Sequence, residues 1–366
     1  MILRAAIYSG AFSFAVSYIL CRYLIENAGK FRMGKRVYSE RVRLHKRGVP
    51  RLGGLAIYIA FYATMLFFFV FRRSYFRHYE VKIIGIFLAS LPIMLFALYD
   101  DLVKRLSYRM KFASQFLAAI ILVVFGYNVN IITNPLNGDI YIGVLGAVFV
   151  ILWMFIIMNA INLMDGLDGL ACGISIILCF AFFVIGFSRG NIFYLFLIIP
   201  LVGASLAFIR FNFYPARLFL GDSGSLFLGF MLGVFAIESS TKRATAISLI
   251  VPLLTLFIPV ASVAFTFSRR IASAKNPFKA DRMHMHYRLL RAGISHRDTV
   301  LVYYTISFIY ATLGVFCFFM PKKFELAIIP FAAVTMWGFY MWALHFINLK
   351  GSEKKKKRVQ EKRQAR

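Results

Sequence analysis

Acidic side chains are scarce: 15 Asp and Glu stand against 43 Lys and Arg in 366 residues, a formal charge of +28. Cysteine is scarcer still. Cys21, Cys172, Cys179 and Cys317 all fall inside apolar runs, without metal-ligand spacing or a disulfide framework. They read as small apolar packing residues. The first apolar run, 3–24, lacks a small-residue cleavage site, so it reads as a retained helix rather than a signal peptide. No internal repeat and no second domain stands out. Strand-like alternation is missing too: the apolar runs are too long and too rich in Gly for barrel strands.

What is abundant is apolar surface. Sixty per cent of the residues are hydrophobic and the mean hydropathy is +0.73. A soluble domain of this length has no use for so much, which makes the bilayer its solvent. The predicted fold is an all-α polytopic membrane bundle. Spans are expected at about 3–24, 51–71, 82–99, 110–126, 143–160, 169–187, 191–211, 223–239, 244–266, 299–319 and 324–347, eleven in all. Residues 1–348 form one catalytic domain in this reading, and 349–366 a polybasic, disordered tail.

The basic residues sit in alternate loops, which argues against nucleic acid as the partner. The first such loop holds Lys30 to Arg47, another Arg269 to Arg297, and the tail carries the Lys354–Arg358 run. Eleven alternating spans put these on one side. The positive-inside rule makes that side the cytosol, with the N-terminus outside. Residues 127–142, with Asn134-Pro135 and Asn137-Gly138-Asp139, read as an external turn or short hairpin.

Of eight aspartates, all but Asp139 then fall on the cytosolic side. Ionisable groups near membrane depth are costly, so such a gathering marks a functional site. Asp100-Asp101 end the third span, with Lys104 and Lys111 following; such a group can bind a cation, hold a phosphate through it, or take a proton. Asn159, Asn162, Asp165 and Asp168 recur every third residue, which keeps neighbouring polar groups on one side of a helix. Gly166 and Gly169 suggest that the helix opens there. Oxygen donors without a basic residue suit a hard cation such as Mg²⁺.

Asn212 and the run Phe219-Leu-Gly221-Asp222-Ser-Gly224-Ser form a third element. A glycine-flanked aspartate at a helix start is a natural ligand position, and the helix N–H groups favour phosphate. Phe219 reads as packing or as a base-stacking ring. The fourth element is Arg270 with Asp281-Arg282-Met-His284-Met-His286. The two histidines lack the Cys or Glu that zinc would need, and a basic loop suits a diphosphate better.

Together with His45 and Val49-Pro-Arg51-Leu-Gly-Gly54, these motifs resemble the polyprenyl-phosphate N-acetylhexosamine-1-phosphate transferases over residues 42–298. The resemblance implies a Mg²⁺ enzyme, Mn²⁺ substituting, with Asn162 and Asp222 as metal ligands. It implies a catalytic group of Asp100, Asp101, Lys111, Asp165, Asp168 and His284. Substrate contacts fall to His45, Arg51, Lys104, Asn159, Asn212, Phe219, Arg270, Arg282 and His286. The implied partners are a UDP-N-acetylhexosamine, undecaprenyl phosphate and the bilayer of a bacterial inner membrane; a homodimer stays open. The loop at 277–286 is closer to the GlcNAc-1-phosphate branch than to the phospho-MurNAc-pentapeptide translocases, which carry three histidines in a row. Tyr287 and the segment 37–42, without an Asp-x-Pro element, depart from the family pattern. The rival from another class is a transporter of lipid-linked saccharides, which needs charges along a midplane path; here the acids stop at one face.

Overall fold

The structure, a computed structural model, describes residues 2–28, 49–73, 76–103, 106–129, 131–134, 138–141, 143–240, 244–245, 250–272, 285–320, 334–335 and 338. His45, Lys104, Asp281, Arg282, His284, most of the expected span 324–347 and the tail 349–366 lie outside the described residues.

Helices dominate: α1 (Ile2–Glu26), α2 (Gly53–Phe71), α3 (Glu80–Leu102), α4 (Tyr108–Val124), α5 (Val144–Met164), α6 (Leu170–Ser188), α7 (Ile192–Asn212), α8 (Gly221–Ser240), α9 (Ile250–Thr255), α10 (Phe257–Ala272), α11 (Met285–Ala292) and α12 (His296–Phe319). Among the described residues, eight of these are long and apolar enough to cross a membrane. The helix α4, expected to be a ninth, has 17 residues, about 25 Å at ~1.5 Å per residue. It packs between α3 and α5 as a spanning helix would.

The expected span 244–266 is not one helix. It divides into a short strand, the single-turn α9 and then α10, with the break at Leu256. Pro259 contributes to the break. It has no N–H to give the Thr255 carbonyl, so the helical ladder fails there, and the next bond runs from Val260 N to the Leu256 carbonyl at 3.1 Å.

The hairpin expected at 127–142 is present. Strand β1 (Ile131–Asn134) pairs antiparallel with β2 (Gly138–Tyr141), and β3 (Ala244–Thr245) runs parallel to β1. This pairing places the end of α8 beside the connection between α4 and α5. The start of α8 then shares the other end of the bundle with the ends of α3, α5 and α7.

Helix α8 is the axis. Nearly all of it is buried, with α2, α3, α5 and α6 packed around it. Small residues let the neighbours close in: a Cβ on Gly229 would lie 2.7 Å from the Met158 Cα of α5. Local capping sets the helix starts. Ser107 caps α4 and Asn191 caps α7 through side-chain oxygens. At α12, Ser295 and Asp298 bond each other reciprocally, so Asp298 is a capping residue.

Candidate active site

The site forms where α8 begins. Gly221 opens the helix with φ +76°, a left-handed conformation that an L side chain resists. A Cβ there would also lie 2.6 Å from the Arg51 carbonyl oxygen and 2.6 Å from Asp101 Oδ2. Two backbone segments meet on either side of it. Gly53 N and Gly54 N donate to the carbonyls of Phe219 and Leu220, each at 2.9 Å, while Phe219 N donates to Pro50 O at 2.8 Å. The Val49–Gly54 motif therefore clamps the chain that leads into α8.

The two adjacent carboxylates at the end of α3 have different surroundings. Asp101 is buried and holds the α8 N-terminus: Oδ1 accepts from Asp222 N at 3.1 Å, and Oδ2 accepts from Ser223 N at 3.0 Å and the Ser223 hydroxyl at 2.8 Å. It satisfies two of the free N–H groups of a helix start from a different helix. The charge of Arg51 acts on the same carboxylate. Asp100 instead accepts from Leu106 N and pairs with Lys111 Nζ at 2.8 Å. Lys111 also bridges to Asp222, so one ammonium stands between carboxylates from α3 and α8.

Asn162 and Asn159 face α8 and α4. Asn162 Nδ2 donates to the Ser225 hydroxyl at 2.8 Å, and Asn159 Nδ2 donates to Gln115 Oε1 at 2.6 Å. Below them the chain opens as the glycines suggest: α5 stops at Met164, and Gly169, at φ +79°, precedes α6. Asn212 Oδ1 accepts from Gly169 N at 2.9 Å and its Nδ2 donates to Leu218 O at 2.8 Å. Asp168 Oδ2 accepts from Ala216 N at 3.1 Å. Both residues therefore tie the Asp165–Gly169 turn to the 213–220 connection. Asp165 is buried in that turn.

The remaining expected residues sit further out. Phe219 is buried in the clamped segment. His286, expected to contact substrate, is fully buried on α11, where a Cβ on Gly166 would come within 2.1 Å of its Nε2. Tyr287 donates to Gly166 O at 3.2 Å, so α11 docks on the turn through both side chains. Arg270 is buried near the end of α10, which packs against α5.

Sequence reasoning passed over several participants. Ser223 and Ser225 lie inside the quoted Gly221–Ser225 run, and the spacing of three from Asp222 to Ser225 was the available signal. Gln115 follows Lys111 by one turn of α4, yet as a neutral residue in an apolar helix it carried no flag. Tyr304 donates to Gly169 O at 2.6 Å, and Tyr214 stacks on His296 with 4.5 Å between ring centroids.

The donor set fits a hard divalent cation. Asp222 offers a carboxylate and Asn162 a neutral amide oxygen, linked through Ser225, whose hydroxyl reaches the Asp222 carbonyl at 3.3 Å. The ammonium of Lys111 between Asp100 and Asp222 marks the same place as one that holds positive charge.

The family model for glycosyl transferase family 4 matches residues 83–240, the segment from α3 to α8. A probable undecaprenyl-phosphate N-acetylglucosaminyl 1-phosphate transferase of Bacillus subtilis is 35 % identical over 74 % of this chain and 73 % of its own length. A decaprenyl-phosphate N-acetylglucosaminephosphotransferase of Mycolicibacterium smegmatis is 33 % identical over 75 % of this chain and 73 % of its own. A phospho-N-acetylmuramoyl-pentapeptide-transferase of Acetivibrio thermocellus is 30 % identical over 83 % of this chain and 92 % of its own. With the clamped α8 start and its carboxylates at one end of a multi-pass bundle, the chain belongs to glycosyl transferase family 4, among the polyprenyl-phosphate N-acetylhexosamine-1-phosphate transferases and in their N-acetylglucosamine-1-phosphate branch.

Proposed function

We propose that this protein transfers N-acetylglucosamine-1-phosphate from UDP-GlcNAc to undecaprenyl phosphate, releasing UMP, at the cytosolic face of a bacterial inner membrane. This would open a cell-envelope polysaccharide pathway. The observation that carries the reading is the Asp100–Lys111–Asp222 bridge beside the N-terminus of α8, where oxygen donors and an ammonium can act on one diphosphate.

When bound, Mg²⁺ (or Mn²⁺) would be held by Asp222 and Asn162 and would neutralise charge on the diphosphate and the departing UMP. Lys111 is the counter-charge of the site: its ammonium, set between Asp100 and Asp222, can also pair with phosphoryl oxygens. A lipid phosphate oxygen attacks the β-phosphorus, the bond from that phosphorus to the bridging oxygen breaks, and UMP leaves with the electron pair. Asp100 takes the proton of any lipid phosphate that arrives singly charged. Direct attack is favoured over an aspartyl-phosphate on Asp101, whose two oxygens hold the start of α8. Asp165, Asp168, Asn159, Asn212 and Phe219 shape the nucleotide-sugar side. Arg51, Arg270 and, outside the described residues, His45, Lys104, Arg282 and His284 serve phosphate and sugar groups, while the buried His286 seats α11 on the Gly166 turn.

A second donor, UDP-MurNAc-pentapeptide, is favoured by the long match to the Acetivibrio relative. Competition between the two donors decides it. The purified protein is expected to consume UDP-GlcNAc in the presence of both; selective consumption of the pentapeptide donor would reverse the assignment.

A further inference from the structure

The asparagines Asn159 and Asn162 stand one turn apart on α5, and a side-chain amide can present either its oxygen or its NH2 to a ligand. The two ends are nearly the same size and carry opposite partial charge, so the choice decides whether a cation is attracted or repelled. Here neighbouring groups make the choice. The Ser225 hydroxyl has one proton, and it goes to the Asp222 carbonyl oxygen at 3.3 Å. Toward Asn162 that oxygen can only accept, and Asn162 Nδ2 donates to it at 2.8 Å. Ser225 is fully buried.

Asn159 is fixed more completely. Its Nδ2 gives one proton to Gln115 Oε1 at 2.6 Å and the other to Phe155 O at 2.7 Å. Gln115 is itself buried, between Lys111 and the apolar part of α4. Both asparagine side chains are half-buried, and among the described residues neither Oδ1 takes a hydrogen bond. The amide nitrogens are committed to the protein, and the oxygens are left to a ligand.

We propose that Ser225 is a positioning residue, which locks the side-chain amide of Asn162 with its oxygen toward the divalent cation of the site. The proposal rests on Asp222 and Asn162 as metal ligands and says what holds the neutral one in the metal-binding orientation. Groups behind a ligand act on the metal by orienting it, and their loss costs about 10- to 100-fold in affinity.

A double-mutant cycle read by direct Mn²⁺ binding, using electron paramagnetic resonance on detergent-purified full-length protein, tests this without reference to turnover. Ser225→Ala is expected to weaken Mn²⁺ binding at least about tenfold. In an Asn162→Asp background the same change is expected to cost no more than about twofold, because a carboxylate has no NH2 end to turn the wrong way. Variants are compared only where the elution profile matches the parent. An equal loss from Ser225→Ala in both backgrounds would mean packing alone and would overturn the proposal, as would no loss in either. If the parent binds no Mn²⁺ up to millimolar concentration, or Asp222→Ala and Asn162→Ala leave binding unchanged, the metal assignment fails and takes the proposal with it.

Discussion

Asp100 and Asp101 are adjacent in sequence and differ in what they touch. Asp101 gives its oxygens to the backbone of Asp222 and to both donors of Ser223, and Asp100 faces Lys111. Asp101→Asn therefore turns one acceptor into a donor that faces another donor inside a buried contact. Leaving a buried group unsatisfied costs about 1–3 kcal/mol, and thermal unfolding in detergent is expected to show it as a lowered midpoint for Asp101→Asn. An unchanged midpoint would remove the helix-anchoring role. The division of labour between the pair was not readable in advance. The sequence shows two carboxylates at a helix end, and only the arrival of α8 tells them apart. The serines that make the contact were in view, but a hydroxyl carries no charge to mark it.

At the scale of elements, the site depends on how α8 is started. The left-handed turn at Gly221 brings Asp222 and Ser223 under Asp101 and leaves room for the Arg51 carbonyl. Gly221→Ala puts a Cβ into both contacts and adds about 1–2 kcal/mol of backbone strain. The expected outcome is a folded protein with the α8 start displaced and UMP release reduced at least tenfold, about 1.4 kcal/mol in barrier. Parental activity would show that this turn does not set the geometry. The break between α5 and α6 was legible, because Gly166 and Gly169 interrupt a polar run. The break between α9 and α10 was not, because Pro259 lies in a run whose apolar length alone suggested a continuous span. Proline acts on the bond four residues back, and hydropathy does not register it.

The whole molecule is a bundle with two distinct ends. One carries the carboxylates, Lys111 and the asparagines; the other carries the β-hairpin, joined by β3 from the end of α8. That joining agrees with the alternation of spans read from the basic loops, and assigning the site end to the cytosol rests on the positive-inside rule. Cysteine labelling checks it with little background, because Cys21, Cys172, Cys179 and Cys317 are all buried. In intact cells a membrane-impermeant maleimide is expected to label Asp139→Cys in β2 and to spare Arg217→Cys, which sits exposed in the connection between α7 and α8. The reverse pattern would invert the topology. Most of the apolar spans were legible from composition, since burial in lipid leaves strong marks in a sequence, and the motifs at Asp100, Asn159 and Asp222 drew notice because ionisable and polar groups near membrane depth are costly. The way α2, α3 and α8 converge was not, because long-range backbone contacts such as Gly53 with Phe219 leave none.

The central claim is lipid-dependent phosphoryl transfer at a site built around Asp222. Its most direct test is UMP release by the purified protein given UDP-GlcNAc, Mg²⁺ and undecaprenyl phosphate, beside Asp222→Ala with a matching elution profile. The account predicts UMP release that requires the lipid and falls on the order of a thousandfold in the variant, about 4 kcal/mol of lost transition-state stabilisation. UMP release that is independent of the lipid, or near-parental activity of Asp222→Ala at saturating Mg²⁺, would contradict it.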